Sequence, residues 1–239
     1  MRETHQKIIK LASLMKKTTQ TVILTGAGMS TESGIPDFRS NDGLWQKIDP
    51  MTVARPETIR EDYDTFYGFY KTRVETLKQH SPHEGHHIIA RLEKKGIIKA
   101  LITQNVDDFH HIAGSERVYY LHGSIRTFRC HNCLSPANEI AFLSKKPCEF
   151  CGGRLRPNVV LFGEGLPHDA LNKAISEIEV SELVIVIGTS LRVYPVSQLP
   201  FMTNATKVYI NRVIDSQNSF DLTIQGNAKE VLIELEKQL

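Results

Sequence analysis

The chain has 239 residues, 41% of them apolar, with 29 Lys and Arg set against 27 Asp and Glu. That length and composition suit one large core, or one core with an inserted module, and exclude a disordered segment. The net charge of +2 comes without a basic block. No nucleic-acid footprint is therefore expected, and no apolar run approaches the roughly 18 residues of a membrane span.

The N-terminal stretch MRETHQKIIKLASLMKK carries Ile8, Leu11, Ala12 and Met15 at the spacing of an amphipathic helix. Charges interrupt it throughout, which is the wrong order for a secretory leader, so a cytoplasmic protein is the expectation. Buried strands are expected at 21–25, 97–103, 117–121, 182–187 and 207–210, each β-branched and apolar. Helices are expected at about 58–80, 84–95, 167–180 and 228–238. Strands that are apolar throughout and separated by helices predict a parallel sheet covered on both faces.

Four polar signatures, TGAG, TQNVDD, LHG and GTS, each follow such a strand directly. In a parallel sheet all four converge on the carboxyl edge, where ligands bind. Gly26 and Gly28 let backbone N–H groups approach a phosphate, although the third glycine of the usual dinucleotide fingerprint is absent. On the residues alone this turn is either a nucleotide cradle or a plain strand-to-helix turn. Pro36, Asp37, Phe38 and Arg39 follow, and a guanidinium there suits a phosphate. Gln104, Asn105 and Asp107 crowd the next strand end, fit either to bind a carboxamide and hydroxyls or to cap a helix. His122 ends a further strand.

Residues 125–160 break the α/β alternation and hold all four cysteines. Cys130 and Cys133, then Cys148 and Cys151, form C-x2-C, fourteen residues, C-x2-C. Four thiolates at this spacing close a tetrahedron around Zn2+ and leave no open position, so the metal would be structural. Two disulfides, disfavoured in a reducing compartment, and unliganded thiols are the competing readings.

GAGMSTESGIPDFR, TQNVD, LHG, the paired CxxC, RPNVVLFGE, GTSL-x-V-x-P and INR occur in the order of the sirtuin family. The chain resembles that family from about 21 to 232. Val106 and Phe109 depart from it mildly, where isoleucine and leucine are commoner.

The resemblance implies an α/β fold: a Rossmann-like parallel-sheet domain with a smaller inserted zinc-binding module and a helical segment. A single catalytic domain would span 1–239. Its large part would lie at about 1–40, 84–124 and 161–239, its helical part at about 41–83 and its zinc module at about 125–160. The implied activity is NAD-dependent deacylation of protein lysines, giving nicotinamide and O-acyl-ADP-ribose. Mono-ADP-ribosyl transfer and a non-catalytic NAD or acyl-peptide sensor are the competing readings.

By matching position, Gly26, Ala27, Gly28, Thr31, Asp37, Arg39 and Gln104 would line the phosphates and ribose of NAD. Ser30, Phe38, Asn105, Val106 and Asp107 would receive nicotinamide. Gly188, Thr189, Ser190, Asn211 and Ala228 would hold the adenosine half. His122 would be the general base, with Asn105 and Asp107 assisting catalysis. Val159, Phe162, Gly163 and Glu164 would meet the acyl-lysine, the segment 159–164 lying extended beside the substrate peptide. Tyr70 and Arg73 share one helix face. With Ala54 upstream they resemble the Tyr-x-x-Arg of family members that prefer succinyl, malonyl or glutaryl groups, or they are an ordinary packed and solvated pair. The implied partners are NAD and acylated proteins or peptides, with no nucleic acid or membrane and no required oligomer.

Overall fold

The computed structural model of the chain describes residues 2–40, 43–214 and 219–239. Its framework is a six-stranded sheet made of β1 (Thr21–Thr25), β2 (Ile98–Thr103), β3 (Val118–Tyr120), β7 (Leu183–Ile187), β8 (Thr206–Asn211) and β9 (Leu222–Gln225). The strand order is β3-β2-β1-β7-β8-β9 and every pairing is parallel. The five strands expected from sequence are all present. The edge strand β9 is an addition, since four residues are too few to show a period.

Alternation explains why these strands read as continuously apolar. Ile23, Leu101, Ile185 and Val208 face helices α1 (Arg2–Lys17), α5 (Glu84–Lys94) and α9 (Ala228–Gln238). Val22, Leu24, Ile102, Val184 and Val186 face α8 (His168–Glu179) and the 3-10 helix Val196–Phe201 on the other side. Both faces are covered, so the strands are apolar along most of their length, and the buried threonines Thr25 and Thr103 at the strand ends are hydrogen-bonded to each other. Among the described residues no helix is long and apolar enough to cross a membrane.

A third apolar cluster joins the long β1–β2 connection to the cysteine-containing region, with Val53, Phe66, Tyr70, Phe128, Phe142 and Leu155 among its members. The connection holds α2 (Pro50–Val53), α3 (Pro56–Glu61) and α4 (Tyr63–Leu77). The single helix expected at 58–80 is thus divided and ends early. Asp62 is the divider: its side chain accepts from Thr65 N at 3.2 Å and caps α4, while its own N–H closes α3 on Thr58 O at 2.9 Å. The short α6 (Phe109–Ile112) follows β2. A small antiparallel sheet of β4 (Gly123–Cys130), β5 (Pro136–Ala137) and β6 (Leu155–Val159), with α7 (Glu139–Leu143), carries the cysteines.

Candidate active site

Strand order reverses between β1 and β7, the switch point at whose carboxyl ends parallel sheets bind ligands. The backbones there interlock. Gly28 N donates to Gly188 O at 2.7 Å and Gly26 N to Ile187 O at 3.0 Å. A Cβ on Gly28 would sit 2.8 Å from Gly188 Cα, and one on Gly188, whose φ is +63°, 2.3 Å from Met29 N. Only glycine fits either place. The result is a cradle of bare backbone at the sheet edge, followed by Ala27 and Thr31 in two 3-10 turns. Thr31 Oγ1 itself donates to Gly28 O at 3.0 Å and stabilises the turn.

Beside the cradle the β2 end forms a buried polar knot. Ser30 Oγ donates to Asp107 Oδ2 at 2.7 Å and accepts from Asn105 Nδ2 at 3.1 Å, while Phe109 N donates to Asp107 Oδ1 at 3.0 Å. Both Asp107 oxygens thus act as acceptors, the role of a carboxylate. Burial raises the Asp107 pKa, and these donors oppose the rise. Asn105 Oδ1 is buried with no partner among the described residues. A buried acceptor of this kind calls for a donor such as a ligand amide.

His122 lies in the turn after β3, and its Nδ1 is 3.1 Å from Gln104 O. A carbonyl only accepts, so Nδ1 carries the hydrogen and Nε2 keeps its lone pair. Burial lowers the His122 pKa; the bond to Gln104 opposes this and Arg39 adds to it. Gln104 Nε2 in turn donates to Thr189 Oγ1 at 2.9 Å. Asn211 at the β8 end and Ala228 at the start of α9 complete this rim, with Ser190 half-buried beside Thr189.

A cavity of about 200 Å³ runs between the sheet edge and the third cluster. Of the residues singled out in sequence, Phe38, Arg39, Tyr70, Arg73, Gln104, Val106, His122, Val159, Phe162, Gly163 and Glu164 line it. The glycine cradle, the Ser30–Asn105–Asp107 knot and the adenosine-side residues stand outside that lining. Asp37 also does: its carboxylate accepts from Ser40 N and Oγ at 3.1 and 2.6 Å and pairs with Arg212 at 3.5 Å, which orders the loop.

At one end of the cavity Arg73 stacks its guanidinium over Phe38, Phe69 and Tyr70 at 5.2, 5.4 and 5.8 Å. It makes no ion pair among the described residues. Burial lowers its pKa, and Tyr70 and Asp107 oppose that. Glu164 is engaged elsewhere. Its carboxylate takes a bidentate bond from the fully buried Arg156 at 2.6 and 2.9 Å and one from Leu161 N at 2.9 Å. The segment 159–164 is accordingly extended only at its start and then turns, with Glu164 N on Leu161 O at 3.0 Å and Gly163 at φ +89°.

The Sir2 family's sequence profile matches residues 26–195, which carry the cradle, the knot, His122 and the cysteines. The chain belongs to the Sir2 family. This Sir2-family chain is 43% identical to the NAD-dependent protein deacetylase 1 of Geobacillus kaustophilus, over 96% of the chain and 97% of that protein. It is 40% identical to the NAD-dependent protein deacylase 1 of Archaeoglobus fulgidus, over 95% of each. A solved Sir2 complex with p53 peptide and NAD+ superposes with a TM-score of 0.87 at 34% identity, covering 96% of this chain and 97% of the other. A Sir2 variant with deacetylated p53 peptide and 3′-O-acetyl ADP-ribose superposes at 0.90, also at 34% identity, with the same coverage.

The cysteine module of this Sir2-family chain fits a metal. All four sulfurs lie within 4.8 Å of one another, with Cys130–Cys151 at 3.5 Å and Cys133–Cys148 at 3.6 Å, and none is in a disulfide. A tetrahedron with metal–sulfur bonds of about 2.3 Å has edges of about 3.8 Å, and an all-sulfur set suits Zn2+. Gly153 is required here, since a Cβ would stand 2.9 Å from Cys130 Sγ.

Sequence reasoning passed over the histidines behind the knot. His86 and His110 are fully buried, and their rings are 4.9 Å apart. His110 Nε2 donates to Thr25 Oγ1 at 3.0 Å, because that hydroxyl's own hydrogen goes to Thr103 Oγ1 at 2.8 Å. Burial pushes the His110 pKa down to about 3, so the ring is neutral. Only the cluster SPHEGHH hinted at such a role. Trp45, the chain's single tryptophan, was likewise passed over. It lines the cavity and packs on Phe38 at 5.0 Å.

Proposed function

We propose that this chain is an NAD-consuming protein-lysine deacylase, with acyl-lysine entering the cavity and NAD lying along the sheet edge. The observation that carries the reading is the free Nε2 of His122 on the wall of a cavity that Gln104 and Val106 connect to the Ser30–Asn105–Asp107 knot. The names and bound ligands of the relatives support it.

Bound NAD supplies an electrophilic ribose carbon when its nicotinamide departs. The protein's own groups do the rest. Asn105 Oδ1 accepts from the carboxamide, with Asp107 and Ser30 fixing its orientation. The backbone of Gly26, Ala27 and Gly28 meets the phosphates, with Arg39 nearby. Thr189, Ser190, Asn211 and Ala228 hold the adenosine half. His122 Nε2 accepts a proton from a ribose hydroxyl, and its hydrogen bond to Gln104 O holds the imidazole in the basic tautomer. Phe38, Trp45 and Phe162 exclude water from the reacting end.

The large domain comprises the segments about the six-stranded sheet, and the small one the helical connection with the cysteine module. Val160, Leu161 and Phe162 already spend their N–H groups on His122 O, Glu164 and Ala54 O. The Leu161 carbonyl already accepts from Glu164 N, so main-chain pairing with a substrate peptide uses the carbonyls of Val160 and Phe162.

Arg73, which makes no ion pair among the described residues, with Tyr70 beside it and Ala54 lining the same cavity, extends the acyl range to groups that end in a carboxylate, such as succinyl. The test is a set of acetyl and succinyl peptides of matched sequence, given to the wild type and to Arg73→Met. Wild type should release nicotinamide and O-acyl-ADP-ribose with both. Arg73→Met should lose about 100-fold on succinyl-lysine and less than about 3-fold on acetyl-lysine, as expected for a lost charge-assisted bidentate bond. Equal losses on both peptides would remove Arg73 from acyl selection. No nicotinamide release with either would end the deacylase reading.

A further inference from the structure

One buried side chain outside the residues assigned so far ties the ends of β7 and β8 together. In β8, Val208 and Ile210 face the α1–α5–α9 side of the sheet while Tyr209 faces the opposite side. Tyr209 is 1% exposed, and its ring stacks on Phe220 at 4.8 Å with the planes 11° apart. For packing alone, phenylalanine would serve as well. A phenol hydroxyl at that depth costs free energy unless its hydrogen-bonding capacity is used.

It is used in a defined direction. The Tyr209 hydroxyl donates to Thr189 O at 2.8 Å and accepts from Asn211 Nδ2 at 2.7 Å. Asn211 Oδ1 accepts from Arg212 N at 3.0 Å, which sets the orientation of the amide. Thr189 Oγ1 accepts from both Gln104 Nε2 and Leu191 N, at 2.9 and 3.2 Å. That hydroxyl's own hydrogen is therefore left to donate to a ligand. A single phenol thus fixes the carbonyl of one rim residue and the amide of another, across two parallel strands paired at Val186 and Tyr209.

We propose that Tyr209 is a positioning residue for the adenosine half of NAD, its hydroxyl holding Thr189 and Asn211 in their binding arrangement. The proposal rests on the reading of the sheet edge as the NAD site. Because the adenosine half takes no part in bond breaking, the loss should appear as weaker binding and not as slower chemistry.

The zinc-loaded full chain would be compared with Tyr209→Phe and Phe220→Leu by calorimetry with ADP-ribose and by steady-state kinetics. In Tyr209→Phe, affinity for ADP-ribose should fall about 10-fold and KM for NAD should rise by a similar factor, the scale of one hydrogen bond. Its kcat, the pH profile of kcat and KM for acyl peptide should stay within about 2-fold of wild type. Phe220→Leu removes the ring stack and keeps the hydroxyl, so it should lower Tm and leave ADP-ribose affinity within about 2-fold.

Wild-type affinity for ADP-ribose in Tyr209→Phe would overturn the assignment. So would a loss that Phe220→Leu reproduces in step with Tm, which would make Tyr209 a packing residue. Wild type that binds no ADP-ribose and releases no nicotinamide would overturn the NAD reading, and the role of Tyr209 with it.

Discussion

The carboxyl edge of the large sheet and the four-cysteine module reach order by opposite means. At the sheet edge, hydrophobic clusters bury both faces of the strands, and the backbone is already in place when the polar residues emerge from it. Glycines then let two strand ends touch, and the hydrogen bonds of Ser30, Asp107 and His122 are made within the protein. The module has only three strands, one of them of two residues, and leaves Leu134, Ile140 and Phe150 at 59, 73 and 77% exposure. So thin a core needs a staple, and four converging sulfurs provide for one. A site on a deep core comes pre-arranged, whereas one on a thin core depends on its metal.

Stripping the metal should break the comparison most severely. In chelator-treated protein, amide-exchange protection across 130–154 should collapse while β1, β2 and β7 keep theirs. Turnover should be lost almost completely, because β4 holds the knot's loop through Ile125 N on Val106 O and Arg126 on Asp107 O. Full protection in the stripped protein would mean the module has a sufficient core of its own.

Next in size is His122→Ala, which should cut deacylation about 1,000-fold with NAD affinity little changed, the scale of a lost general base. Nicotinamide release at the wild-type rate would show the imidazole to be a bystander.

Glycine substitutions sharpen the contrast. Gly188→Ala combines a positive φ with a 2.3 Å clash against backbone and should cost about 3 kcal/mol in urea unfolding. Gly152, at φ +70° with open space around its Cβ position, should cost only about 1 kcal/mol as alanine. Equal costs would deny the sheet edge its tighter packing.

The smallest effect is protonic. His122 has a folded pKa below its ordinary 6.5, so the basic form persists on acidification and the acid limb of kcat/KM should have its midpoint below 6.5. Arg39→Gln, followed by NMR of the free protein, should move the His122 titration upward, since a cation that opposes protonation is gone. His110, depressed to about 3, should stay neutral from pH 7.5 to 5. In linkage terms the unfolded chain then binds more protons, and this histidine withdraws stability as pH falls below 6.5 toward 3.

Legibility followed the same divide. Local patterns were enough for β1, β2, β7 and β8, whose apolar runs are bounded by glycine or polar turns, and for the paired CxxC, where spacing alone defines a ligand set. The edge strand β9 was not legible because four residues carry no period, and the small sheet because β4, although eight residues long, is irregular in burial and register. The break in the helix at Asp62 was missed because an aspartate within an apolar rhythm reads equally as a surface residue. Glu164 was placed at the substrate from motif position, but Arg156, eight residues earlier and fully buried, claims its carboxylate. Nothing local marks such a pair.

By itself the sequence determined which strand ends carry polar chemistry, that four thiols form one set, and the family to which the chain belongs. These are properties of spacing along the chain. Only the tertiary structure decided that Gly28 meets Gly188, that His110 and His86 pack together behind Ser30, that Arg73 lines a cavity with no ion pair among the described residues, and that Tyr209 joins two rim residues. Each depends on residues far apart in sequence brought within a few ångströms. That proximity is created by burial of the sheet's two faces, and spacing along the chain does not encode it.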